Sequence, residues 1–152
     1  IEHLSEEEEM EVVRSTTGIL KPEFSHAVTG PDLLAFQELV RRVPVSESVL
    51  RYAVNLVRAS RPSANGDSPD FVKKWIAYGA SVRAAQYLVL GSKAKALTQG
   101  RYHVSFDDIK SLAHPVLRHR ILTNFHAESE GRTTGEIIDR LLEHVPVPTS
   151  GM

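Results

Sequence analysis

Ser5 before Glu8, Ser105 before Asp108 and Thr133 before Glu136 each set a serine or threonine three residues ahead of a carboxylate at the start of an apolar pattern. In such a pair the hydroxyl accepts from a free N–H of the first helical turn. The carboxylate reaches back to the N–H of the capping residue, so two otherwise orphaned donors are satisfied together. A chain that repeats this device commits to helices. No internal repeat or sustained heptad accompanies it, so the expected class is mainly α: a helical bundle of about five to seven helices with at most one short β-hairpin.

The apolar spacing places the helices. The first covers about Glu6 to Ser15, its acidic first turn Glu6 to Glu9 matched to the helix dipole and solvated. After a loop with Gly18, Pro22 and Gly30, Pro31 suits a first helical position, and Leu33, Phe36, Val40 and Val43 supply the stripe of a second helix ended by Pro44. Ser46 or Ser48 can cap a third, running to about Ser60 with Leu50, Ala53, Val54 and Val57 as its buried face. Residues 61–69 read as a polar loop. An apolar cluster of Phe71, Trp75 and Ile76 follows, then Gly79-Ala80-Ser81, where Ser81 is placed to cap a long helix to about Thr98 that Gly100 stops. Tyr102 to Val104 is β-prone and could pair with a short strand within Arg120 to His126. Pro115 should break or restart the helix opened by Ser105, and the last helix carries Ile137, Ile138, Leu141, Leu142 and Val145 before Pro146 and Pro148. Residues 149–152 are tail.

Composition narrows the function classes. With 152 residues and 41% apolar side chains, the chain can build a core and reads as one compact unit. Eighteen basic against nineteen acidic side chains give no basic footprint for nucleic acid. The absence of cysteine removes disulfides and thiolate metal sites and is compatible with a reducing cytoplasm. No apolar run is long enough to cross a bilayer, so no membrane insertion is expected. The start at Ile1 rather than at an initiator Met reads as a fragment of a longer protein.

The usual catalytic constellations are missing. There is no Gly-rich phosphate loop, no GxGxxG turn, no nucleophile elbow and no HExxH pair, and His114, His119 and His126 lack metal-ligand spacing. No catalytic residue and no metal site is assigned. Arg83 is the exception to an otherwise bland surface, because a cation in the first turn of a helix opposes the dipole. A phosphate beside it would be drawn both by the free N–H groups and by the guanidinium fork. The plain alternative is a solvated arginine.

Gly79-Ala80-Ser81-Val82-Arg83-Ala84 resembles the sensor-2 motif of MoxR-type AAA+ ATPases. The likeness continues through Lys93-Ala94-Lys95-Ala96, Gly100-Arg101, Val104, Asp107-Asp108-Ile109, Pro115-Val116-Leu117-Arg118-His119-Arg120 and Val145-Pro146-Val147-Pro148. Upstream, Val45, Tyr52, Leu56-Val57 and Ser60-Arg61 fit the same pattern. The family usually has Pro where Val82 stands, which removes some preorganisation of the first turn but no phosphate contact.

The resemblance implies that residues 1–148 are the C-terminal helical lid of an AAA+ ATPase whose nucleotide-binding core is not part of this sequence. ATP and Mg2+ would belong to the full-length parent, with none bound tightly by this piece alone. Arg83 would be the sensor-2 arginine on the ATP phosphate, with Ser81 capping the helix at the same site. Arg118 and Arg120 could face a phosphate or a neighbouring subunit, or simply satisfy a helix C-terminus. The partners implied are the AAA+ core of the same or a neighbouring subunit in a homo-oligomeric, hexameric ring, and a von Willebrand factor A-type domain. The work would be chaperone-like remodelling or metal and cofactor insertion. The rival reading is a stand-alone helical interaction module with no nucleotide role, using the acidic N-terminus or the 61–69 loop. An exposed Arg83 at a helix N-terminus favours the lid, and a buried, carboxylate-paired Arg83 favours the module.

Overall fold

The computed structural model describes residues 3–19, 25, 27–63 and 68–148. Pro22, the centre of the 61–69 loop and the 149–152 tail lie outside the described residues. The chain divides into two compact units, Ile1–Leu33 and Leu34–Met152, with the boundary inside a helix. Among the described residues no helix is long and apolar enough to cross a membrane.

The first unit contains α1 (Glu6–Thr17) and the start of α2 (Gly30–Arg42). Ser5 and Glu8 close the expected capping box, and the four glutamates of the first turn lie along the positive end of the helix dipole. A second reciprocal pair, Thr29 with Asp32, opens α2 just ahead of Pro31. No residue of α1 is buried.

The second unit holds the rest of α2 and α3 (Glu47–Ala59), α4 (Asp70–Trp75), β1 (Ile76–Tyr78), α5 (Val82–Thr98), α6 (Phe106–Ser111), α7 (Ala113–Leu117), β2 (Leu122–Thr123), α8 (Phe125–Ser129) and α9 (Thr134–His144). The described residues therefore form nine helices rather than five to seven. The extra ones, α4, α7 and α8, are five or six residues long. Helices that short show no 3.6-residue periodicity and depend on tertiary partners rather than on propensity. Asn124 is one such partner: its side chain caps α8 through the Ala127 N–H (3.1 Å) and donates to the Lys74 carbonyl of α4 (2.9 Å).

The strand pair differs from expectation in one member. β2 lies inside the expected Arg120–His126 stretch, but it pairs antiparallel with β1, Ile76 opposite Thr123 and Tyr78 opposite Leu122, and not with Tyr102–Val104. That segment is a bend leading into α6, with Val104 buried. Its β propensity is overridden because Gly100, at φ +69°, turns the chain back on α5, and the Arg101 N–H bonds the Ala96 carbonyl at 2.8 Å. Pro115 falls in the first turn of α7, where its missing N–H costs nothing, and the helix restarts two residues before it.

The core lies where α3, α5, α6, α7 and α9 meet, around Tyr52, Leu56, Leu88, Ile109, Leu117, Ile137, Ile138 and Leu141, all fully buried. Two expected stripes are corrected. In α3 the buried face is Val49, Tyr52, Ala53, Leu56 and Val57, while Leu50 and Val54 point outward, because Tyr52 turns inward to set its ring edge-on to Phe106 at 5.6 Å. Of the expected α2 stripe, Val43, just past the helix end, is buried in the core, while no residue within the helix is buried and Phe36 stays half exposed at 50%.

One ion pair, buried on its carboxylate side and partly exposed at the guanidinium, ties the end of α5 to α6. The carboxylate of Asp108, 2% exposed, accepts both guanidinium nitrogens of Arg101 at 2.6 and 2.8 Å while completing the capping box with Ser105. The Arg101 hydrogen bonds, aided by those from Ser105, hold the Asp108 carboxyl well below its ordinary range against the opposing effect of burial. A depressed native value means that its stabilisation is complete above about pH 5, starts to be lost as pH falls below about 4, and is gone only once pH has passed below the depressed native value. Asp108→Asn should therefore lower stability at pH 7 by about 3 kcal/mol and flatten the acid limb of a plot of denaturation midpoint against pH. A variant with an unchanged acid limb would show that the pair contributes nothing.

Candidate functional site

The site is built on the passage from β1 into α5. β1 ends at Tyr78, the turn Gly79–Ser81 follows, and α5 begins at Val82. Ser81 has the extended backbone of an N-cap, φ −82° and ψ 173°, but its hydroxyl makes no capping hydrogen bond. This corrects the expected cap. The serine holds the position, and the first-turn N–H groups of the longest helix lack a side-chain acceptor. α1, α3, α6 and α9 all receive such a cap. The first turn of α5 also carries no acidic residue.

Arg83 is the second residue of this helix and solvent-exposed, and its side chain has no ion pair or hydrogen bond to any described residue. Its side chain lines an open groove of about 690 Å³ beside α3 and α5. Leu50, Val54, Val82 and Val89 give the groove an apolar wall. Arg41, Arg83 and Lys93 are the charged residues lining it, with no carboxylate. Lys93 is already engaged, donating to the Arg41 carbonyl at 2.9 Å. Leu50 and Val54, which α3 turns away from the core, are thus the residues that face this groove.

The turn is held from outside. The Ala80 N–H donates to the Ser60 hydroxyl at 2.9 Å, and Nε of Arg61 donates to the Ala80 carbonyl at 2.8 Å. A Cβ on Gly79 would lie 2.3 Å from the Ser60 carbonyl oxygen, so only glycine lets the two backbones approach so closely. The sequence reading included Ser60 and Arg61 only as part of a motif. No local signal marks their role, because their partner is about twenty residues away.

The other candidate arginines separate. Arg120 sits over the Tyr87 ring at 5.0 Å and donates to the Val116 carbonyl at 2.5 Å, so it stacks on α5 and satisfies the end of α7. Tyr87 also lines the groove with Arg83, one helical turn on. The Arg118 side chain is exposed and bonds no described residue, while its backbone N–H donates to the His114 carbonyl at 3.0 Å. Trp75 is core: its indole N–H donates to Glu130 at 3.0 Å, and Arg140 and Arg132 stack on its ring at 4.7 and 5.3 Å. His114 contacts Asp139 at 2.7 Å, and among the described residues no three His, Asp or Glu side chains converge.

A family model described as an AAA lid domain matches residues 68–141. The chain is 31% identical over 144 residues to Chaperone MoxR1 of Mycobacterium tuberculosis, an alignment covering 95% of this chain and 38% of that protein. It is 28% identical over 117 residues to the uncharacterized protein YeaC of Bacillus subtilis, covering 77% of this chain and 33% of that one. A crystal structure of a candidate ATPase from Cytophaga hutchinsonii superposes with a TM-score of 0.82 at 34% identity, covering 98% of this chain and 45% of that one. The chain therefore spans 38% or less of the length of these curated relatives. Fold, family model and relatives agree, and the chain belongs to the lid region of MoxR-like AAA+ ATPases.

Proposed function

We propose that this lid reports on and assists ATP hydrolysis in an oligomeric AAA+ ring, with Arg83 as the sensor-2 arginine that contacts the terminal phosphate of ATP held by a core domain of the same or a neighbouring subunit. The observation that carries the reading is the state of Arg83: exposed, unpaired with any described carboxylate, and seated on a helix start whose N–H groups no side chain caps. All three properties suit an incoming phosphate. The guanidinium offers a planar, permanently charged fork, and the free amides and the helix dipole favour negative charge at the same place.

The residues present fit a phosphate but not a whole nucleotide site. Mg2+ would be held by residues of the core, since no three carboxylate or imidazole side chains converge among the described residues. ATP supplies the phosphoanhydride that is cleaved. This chain would supply one cation and one helix terminus directed at charge that grows in the transition state. In the same reading the ring is a hexamer, ATP turnover drives chaperone-like remodelling or metal and cofactor insertion, and a von Willebrand factor A-type domain is the partner. The relative named as a chaperone supports the remodelling part. A buried, carboxylate-paired Arg83 would favour the interaction-module alternative, whereas Arg83 is exposed and paired with no described carboxylate, which supports the lid reading.

In the full-length protein, Arg83→Ala should lower kcat for ATP hydrolysis by about 10²-fold or more, and Arg83→Lys, which keeps the charge but loses the fork, should fall between it and the parent. Unchanged turnover in Arg83→Ala would sink the sensor role. Titration of ATP·Mg2+ into the isolated 152-residue chain should show no saturable binding at micromolar nucleotide, because one arginine and one helix terminus do not enclose the ligand. Tight binding by the chain alone would show that it holds a nucleotide pocket of its own.

A further inference from the structure

We propose that Ser60 and Arg61, at the end of α3, are positioning residues for Arg83: they clamp Ala80 from both sides and so set where α5 begins and how far the Arg83 guanidinium reaches. The inference rests on the reading of Arg83 as a phosphate-contacting arginine.

The clamp engages both polar groups of a single residue. The Ser60 hydroxyl donates to the Val57 carbonyl at 2.7 Å, which fixes its proton toward its own helix and leaves a lone pair for the Ala80 N–H at 2.9 Å. The next residue, Arg61, supplies the Nε–H that reaches the Ala80 carbonyl at 2.8 Å. Ser60 is 0% exposed and Ala80 1%, so the Ala80 N–H has no water to replace the Ser60 hydroxyl if it is lost, while the Arg61 bond is half-buried. Contact reinforces the bonds: a Cβ on Gly79 would stand 2.3 Å from the Ser60 carbonyl oxygen and 2.6 Å from the Arg61 Cα, so the turn already rests against the backbone of the same two residues.

The clamp also accounts for a helix start that does not cap itself. In α1, α3, α6 and α9 a serine or threonine fixes the first turn locally. In α5 the Ser81 hydroxyl takes no part, and the register of the first turn is set by α3 instead. This arrangement leaves the first-turn N–H groups without a side-chain cap while still locating Arg83, three residues beyond Ala80. A helix that capped itself would spend one of those N–H groups on its own serine.

The test is steady-state ATP hydrolysis by the full-length protein carrying Ser60→Ala, Arg61→Gln, Arg83→Ala and the two clamp substitutions each combined with Arg83→Ala. Each clamp variant should lower kcat by about tenfold to a hundredfold, the loss expected when a reacting group is misplaced by about 1 Å, with a smaller change in KM for ATP. In the Arg83→Ala background the same substitutions should lower kcat no further, because they act through Arg83. Hydrogen exchange over residues 76–84 should be faster in Ser60→Ala. Where Ser60→Ala fails to fold, Arg61→Lys, which keeps the charge and moves the donor, should give a milder loss with the same non-additivity. Clamp variants with parental kcat while Arg83→Ala is impaired would overturn the positioning role and leave the Arg83 reading intact. A loss that repeats in full in the Arg83→Ala background would show that the clamp supports the fold in general and not Arg83. If Arg83→Ala itself is silent, both readings fall together.

Discussion

Where the turn Gly79–Ser81 rests on the end of α3, two backbones come closer than any side chain at Gly79 would allow, and the path of α5 follows from that approach. α5 is the longest helix of the second unit and packs against α3, α6 and α7, so an error in its starting point would be carried along 17 residues of packed surface. Close packing makes such errors costly, because the core contacts of Ala84, Ala85 and Leu88 cannot all be kept if the helix slides or rotates. The opposite end of α5 is fixed as firmly, by Gly100 in the left-handed region and by the Arg101–Asp108 pair that joins it to α6. Between these two anchors the helix has little freedom, and Arg83 sits beside the first of them.

Local chemistry was legible in the sequence to the extent that it is local. Ser5, Ser46, Ser105 and Thr133 cap their helices because hydroxyl and N–H lie three residues apart, and no tertiary contact is needed to bring them together. Thr29 with Asp32 makes the same local pair at the start of α2. The Gly79-Ala80-Ser81 pattern placed the start of α5, and with it Arg83 in the first turn, although the Ser81 hydroxyl makes no capping bond.

What the sequence could not show is non-local. A strand of two or three residues pairs with whatever edge the packing presents, so β2 was placed and its partner was not. Amphipathic spacing says that a helix has an apolar side but not what covers it. The outward Leu50 and Val54 and the uncovered α2 stripe are the result. Ser60 and Arg61 gave no signal because hydroxyl and guanidinium groups at a helix end usually meet solvent, and only the fold brings Ala80 to them.

The placement of Arg83 carries a cost, and magnitudes show why the fold tolerates it. A cation against the helix dipole costs about 0.3–1 kcal/mol, and an absent side-chain cap costs about 1 kcal/mol more. Full burial of Leu88, in the second turn of the same helix, contributes about 2–3 kcal/mol by itself, and the two hydrogen bonds to Ala80 add to it. The helix start is therefore locally unfavourable and globally secure. A phosphate needs that combination: amides and a guanidinium not yet satisfied, held where thermal motion cannot scatter them. Had the same arginine been placed on a short helix such as α7, the local cost would equal a large share of the packing that five residues can supply, and the cation would loosen the element meant to aim it.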